Sequence, residues 1–200
     1  MSNIIKLPEP QKDLLFPLMK AFELRRTKRR WVDEMLSEQE LSNILWSACG
    51  ITLKETKRTK SRRTSPSSRN SQAIKIFIAT KQGVFLYDER IHSLIEIFTK
   101  DVRKHISTQK MMQSAPIGLI FTADYSKLSM YTATDNNRKL FVSGTETGFI
   151  SQNIYLYCAS AGLSTAIIGL VDRDKLHKAI ELKEYEHIVY TQVVGRSLDE

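Results

Sequence analysis

Ser143-Gly144-Thr145-Glu146-Thr147-Gly148-Phe149-Ile150-Ser151-Gln152-Asn153-Ile154-Tyr155-Leu156-Tyr157-Cys158-Ala159-Ser160-Ala161-Gly162 is the stretch on which the fold turns. Its first four residues have the spacing of a capping box, in which a hydroxyl and a carboxylate each satisfy a free amide of the first helical turn. Apolar side chains then fall on nearly every face until Gly162 supplies a stop. A helix that is apolar all round is a buried one, held at the centre of the molecule or against another subunit.

Strands surround this helix in the sequence. Residues 116–123 read as a buried strand, 164–168 as a short one and 187–194 as a last one, with a helix over 172–182 between them. Upstream, residues 74–80 alternate, break at Lys81-Gln82-Gly83 and resume in Val84-Phe85-Leu86-Tyr87, which predicts a hairpin. Residues 99–112 are expected to form an amphipathic helix. Ser37-Glu38-Gln39-Glu40 is another capping box, followed by Leu41, Ile44, Leu45 and Ala48 at helical spacing and by Gly50 as a stop. Pro17 opens a helix through Leu18, Ala21 and Phe22 to about Leu24, after an extended arm over residues 1–9. Residues 52–69 are polar, basic and without periodicity, and are expected to be a loop. Helices and strands interleave without a regular βαβ rhythm, so the class is α+β, one sheet flanked by helices in a single domain over residues 1–200.

The 42% apolar and 26% charged fractions are those of an ordinary globular chain, and its length suffices for a proper core. No long apolar run is present to span a membrane, and the N-terminus lacks the apolar segment of a secretory signal. Cys49 and Cys158 show no metal or redox spacing and are expected as buried thiols, which fits a cytoplasmic protein. The four histidines share no metal or triad spacing.

The net charge of +8 is local: residues 20–69 carry 13 Lys or Arg against 6 Asp or Glu. Arg25-Arg26-Thr27-Lys28-Arg29-Arg30-Trp31 packs five cations into seven residues, a density that self-repels unless an anion neutralises it. Pro66-Ser67-Ser68-Arg69-Asn70-Ser71-Gln72 offers hydroxyls, amides and another guanidinium just before a strand. Together they suggest a phosphate-bearing ligand with a polar head group. A solvated basic helix end accounts for the first stretch equally simply, and turn formation for the second. The cations of residues 54–63 form a solvated loop or a nucleic-acid arm, and the lack of interleaved aromatics argues against the latter.

Taken in order, these segments resemble the flavin-dependent nitroreductase family. Arg25-Arg26-Thr27-Lys28-Arg29 is similar to its N-terminal Arg-Arg/His-Ser/Thr-x-Arg/Lys signature, and Pro66-Ser67-Ser68-Arg69-Asn70-Ser71-Gln72 to its Pro-Ser-Ser/Ala-x-Asn-x-Gln element. Gly148-Phe149-Ile150-Ser151-Gln152-Asn153, followed by Ala161-Gly162-Leu163, resembles its central helix and the strand behind it; Gly169 and Val194-Gly195-Arg196 complete the series. The Gly83-Val84-Phe85-Leu86-Tyr87-Asp88 hairpin also resembles a branch related to the thiazoline and oxazoline dehydrogenases.

The resemblance implies a nitroreductase-like fold, with a central, mostly antiparallel sheet flanked by helices, and a homodimer with FMN at the subunit interface. By carry-over, Arg25, Arg26, Thr27 and Arg29 line one side of the flavin, and Pro66, Ser67, Ser68 and Asn70 reach it from the other subunit. Ile168 and Gly169 present backbone near the flavin N5, and Arg196 joins at the phosphate. The implied activity is an NAD(P)H-dependent FMN oxidoreductase, with NADH or NADPH as donor. It passes electrons to a nitro, quinone or similar small-molecule acceptor by a ping-pong route, with no protein nucleophile and no metal. A non-catalytic flavin-binding dimer and a nucleic-acid-binding module using the basic loop 54–69 are the alternatives. Two departures stand out: Ala73-Ile74 follows Gln72 where many members have a large group, and Ile168 stands where several carry Glu.

Overall fold

The computed structural model describes residues 3–198, apart from the side chains of residues 131 and 133. Among the described residues there are nine strands: β1 (Ile4–Lys6), β2 (Ile51–Leu53), β3 (Arg62–Arg63), β4 (Ile74–Ala79), β5 (Val84–Asp88), β6 (Ser93–Phe98), β7 (Ile117–Asp124), β8 (Leu163–Ile168) and β9 (Glu186–Arg196). Six α-helices accompany them: α1 (Leu18–Leu24), α2 (Glu38–Cys49), α3 (Lys110–Gln113), α4 (Met130–Ala133), α5 (Asn136–Ser160) and α6 (Arg173–Ala179). Seven strands form one sheet in the order β1-β6-β5-β4-β7-β9-β8, each neighbouring pair antiparallel. The expected α+β class and antiparallel central sheet are both present.

Alternation along β4 explains the layers. Ile74, Ile76 and Ile78 face one way, into a cluster with Ile44 and Leu45 of α2 and Ile150 and Ile154 of α5. Phe77 and Ala79 face the other, into a cluster with Ile106, Met112, Leu176 and Ile180. Successive strand residues point to opposite faces, so one strand feeds both cores. Leu45 is fully buried, and truncating such a residue to Ala costs about 2–5 kcal/mol.

The Ser37 box forms as read. Ser37 Oγ accepts the Glu40 amide at 3.2 Å, and Glu40 Oε2 accepts the Ser37 amide at 2.8 Å. Gly50 ends α2, but at φ −62° rather than in the left-handed region. Its lack of a side chain matters for space instead, since a Cβ there would lie 2.2 Å from the Trp46 indole.

Three expectations are corrected. The long helix starts at Asn136, not Ser143, because Asp135 caps it by accepting the Asn137 amide at 2.8 Å. Residues 99–112 do not form a continuous helix. Asp101 accepts the Arg103 amide and Ser107 the Gln109 amide, local turns that break the run into a 3₁₀ turn at Arg103–His105 and the short α3. Residues 52–69 are not simply a loop, because β2 and β3 pair into a small antiparallel ribbon.

Candidate functional site

The basic strip begins where α1 ends. The Arg25 amide donates to the Ala21 carbonyl at 2.9 Å, and the chain then turns extended. Its course is fixed by the outer strand β8, whose Thr165 carbonyl accepts the Lys28 amide at 3.1 Å. Tyr155, reaching from α5, organises the junction. Its hydroxyl accepts the Ile167 amide at 3.0 Å and pairs with Thr27 Oγ1 at 3.1 Å, while its ring lies 5.6 Å from the Arg25 guanidinium. One Arg26 guanidinium nitrogen donates to the Glu23 and Arg25 carbonyls, both at 2.9 Å, and Lys28 Nζ donates to Ser197 Oγ. Arg29 is exposed. Among the described residues neither Arg25 nor Arg29 has a carboxylate partner. Ile168 is buried and paired with Thr191, and Gly169 follows it out of β8, so the backbone expected near a flavin lies next to the Tyr155 junction.

The hydroxyl-amide strip is built differently. Ser67 Oγ accepts the Gln72 amide at 3.1 Å, Asn70 Nδ2 donates to the Ser61 carbonyl at 2.8 Å, and Gln72 Nε2 donates to the same carbonyl at 2.7 Å. Arg69, Asn70 and Gln72 all hold positive φ, at 50°, 54° and 50°. Left-handed backbone at non-glycine residues is costly and persists only when its surroundings enforce it. The bonds of Asn70 and Gln72 to Ser61 and Ser67 hold that backbone, and Glu146 of α5 tethers the strip from outside, its Oε1 accepting the Ser68 amide at 2.7 Å. Glu146 is buried and its other oxygen has no hydrogen-bond partner among the described residues. Burial pushes its pKa up, with the Ser68 amide and Arg63 pulling the other way. Pro66 is exposed, and Ser67, Ser68 and Asn70 are half-buried.

Neither anchor, Tyr155 nor Glu146, was evident as a site residue in the sequence. Glu146 sits in what reads as a capping box with Ser143, and Tyr155 among the apolar residues of the helix. Both are on α5, nine residues apart, which is about 13 Å of helical rise. One chain therefore gathers Arg25, Thr27, Tyr155 and Ile168-Gly169 at one place and residues 66–70 at another. It does not bring the two strips together.

Arg196 is held by acids. Its terminal nitrogens meet Glu40 at 3.0 and 2.9 Å, and its Nε meets Glu34 at 3.0 Å. Tyr125 stacks on His187, with ring centroids 4.2 Å apart. Among the described residues no three His, Cys, Asp or Glu side chains group as metal ligands, and no helix is long and apolar enough to cross a membrane.

The family model described as "Nitroreductase family" matches residues 23–196, a span containing both strips, both anchors and the whole sheet except β1. The chain belongs to the nitroreductase family. A solved structure from Ralstonia eutropha JMP134, described as a nitroreductase, superposes with a TM-score of 0.87 at 29% identity, covering 98% of this chain and 90% of that one. Two others share the nitroreductase fold at lower identity. One is a chain of the E. coli microcin synthetase McbBCD complex (TM-score 0.71, 16% identity, 96% and 78% of the two chains). The other is a nitroreductase-like protein of Desulfovibrio desulfuricans solved with FMN (TM-score 0.65, 15% identity, 93% and 89%). Membership of the nitroreductase family supports a flavin oxidoreductase in general terms.

Proposed function

We propose that the chain is a single FMN-binding domain acting as a homodimeric, cytoplasmic oxidoreductase. NADH or NADPH is the donor, and a nitro compound, a quinone or a similar small molecule is the acceptor, by a ping-pong route. The observation that carries this reading is the basic strip docked on Tyr155 and β8, with no carboxylate paired to Arg25 or Arg29 among the described residues. Cations left without acids are a donor set that fits a phosphate.

On this reading Arg25, Arg26, Thr27 and Arg29 hold one side of the cofactor, with the backbone of Ile168 and Gly169 beside it. Pro66, Ser67, Ser68 and Asn70 reach it from the second copy, which accounts for the separation of the two strips along α5. Arg196 reaches the phosphate only by leaving its bidentate pair with Glu40. Arg29 places a fixed positive charge where reduction builds negative charge. Bound FMN supplies the hydride and electron chemistry. A dimer is further supported by exposed apolar side chains at Leu14, Leu15, Leu18, Met19 and Phe22 before and along α1, and at Leu140, Phe141 and Phe149 of α5. The cytoplasmic assignment is supported by two free, buried cysteines.

A visible spectrum of the purified protein, followed by FMN titration, tests the reading. A flavin band, or uptake of added FMN by a dimer, is expected; a colourless monomer that takes up no FMN overturns it.

A further inference from the structure

The flavin reading leaves the β2–β3 ribbon unused. Lys54, Lys57, Arg58, Lys60 and Arg62 are all exposed on it, against Glu55 alone. None of these five cations has an ion pair among the described residues. Arg63 behaves differently: it turns inward, donating to Glu89 at 2.5 Å and to the Ile74 carbonyl at 2.8 Å. The turn is ordered by Thr56 Oγ1, which accepts the amides of Arg58 and Thr59 at 3.2 and 3.1 Å. At its base the ribbon meets the hydroxyl-amide strip around a cleft of about 640 Å³, with Thr59, Lys60, Arg62, Pro66, Ser67 and Asn70 in its walls. That volume lies within the usual range for small-molecule sites.

We propose that this cleft receives the adenosine end of the donor dinucleotide, and that Lys60 and Arg62 hold a 2′-phosphate there, making NADPH the preferred donor. The inference rests on the flavin reading above, because it needs residues 66–70 to border the flavin on one side and the cleft on the other. A nicotinamide set at the flavin then leaves its adenosine end to run past Pro66 towards the ribbon. The 2′-phosphate monoester is the one group that separates NADPH from NADH, and it carries nearly two negative charges at neutral pH. A planar guanidinium beside a lysine ammonium suits it: the first gives paired hydrogen bonds and the second a mobile point charge. Nucleic acid fits the ribbon less well, because a single strand needs successive bases stacked and no aromatic side chain occurs between Lys54 and Arg63, whereas the proposed ligand is held there by its phosphate.

Calorimetry with 2′,5′-ADP and with 5′-AMP, on the protein as purified with its flavin, isolates the extra phosphate. Steady-state kcat/KM for NADPH and NADH is the second measurement. We expect 2′,5′-ADP to bind at least roughly tenfold tighter than AMP, and NADPH to be preferred by a similar factor. Both ratios should fall towards one in the Lys60→Ala/Arg62→Ala variant. Lys54→Ala, whose side chain is outside the cleft, should leave both ratios as they are. Equal use of the two dinucleotides, or ratios that survive the double substitution, overturns the inference. So does salt-sensitive binding of a single-stranded oligonucleotide with no preference for 2′,5′-ADP. A yellow protein indifferent to the 2′-phosphate sinks only this inference, whereas a colourless protein that takes up no FMN sinks the flavin reading first.

Discussion

Glu146 and Ser68, 78 residues apart in sequence, are joined by a 2.7 Å hydrogen bond from the Ser68 amide to the Glu146 carboxylate. The bond ties the middle of α5 to the strip that carries the left-handed residues Arg69, Asn70 and Gln72.

Removing the acceptor should loosen that strip. Glu146→Ala leaves a half-buried amide unsatisfied and should cost about 1–3 kcal/mol. Glu146→Gln keeps a carbonyl acceptor and discards the buried charge, so most of the stability should remain. The pKa shift fixes the sign of the pH effect. Burial raises Glu146 above its ordinary 4.5, so its contribution is full below that value and is lost as pH rises through the raised pKa. Denaturant melts of wild type and Glu146→Gln across that window should show the slope in the first and its loss in the second.

Arg25→Ala should weaken FMN retention. A phosphate that loses a charged hydrogen-bond partner loses about 2–3 kcal/mol. Flavin fluorescence quenching gives the affinity directly; an unchanged value would remove Arg25 from the phosphate site.

Glu40 has two tasks, closing the Ser37 cap and holding Arg196. Ser37→Ala should therefore cost only a cap, about 1 kcal/mol, and Glu40→Ala clearly more. Burial pushes the Glu40 pKa up, but the Ser37 hydroxyl and amide and Arg196 outweigh it and hold the pKa below the ordinary 4.5. That stabilisation is present above 4.5 and is lost as pH falls through the lowered value. Acid unfolding of Glu40→Gln should lack this component.

Gly195→Ala should destabilise by overpacking. A Cβ there would lie 2.8 Å from Trp31 Cβ and 3.0 Å from the Pro116 ring, and such crowding costs about 1–3 kcal/mol. Thermal melts that match wild type would show that Trp31 can move aside.

The architecture was legible wherever one local signal dominated. Ser37 and Glu40 close their box, residues 74–88 form the hairpin, and β7 and β9 occupy the runs read as strands. The errors arose where two signals competed. Ser143 and Glu146 have capping-box spacing, yet Asp135 caps the helix earlier and frees Glu146 for Ser68. Residues 99–112 have helical periodicity, yet Asp101 and Ser107 offer their backbone amides a nearer partner. The ribbon escaped notice because its strands are two or three residues long and its pairing spans a polar turn. At the candidate site, the polar strips could be picked out from composition and motif. Their anchors could not, because Tyr155 and Glu146 act through contacts distant in sequence.

The Tyr155 junction has one more effect. β8 is the last strand of the sheet, where free backbone groups could recruit a strand from another molecule. Lys28 and the Tyr155 hydroxyl occupy the Thr165 carbonyl and the Ile167 amide, and the opposite border, β1, is only three residues long. The phenol that steadies the basic strip thus also guards the chain against edge-to-edge aggregation.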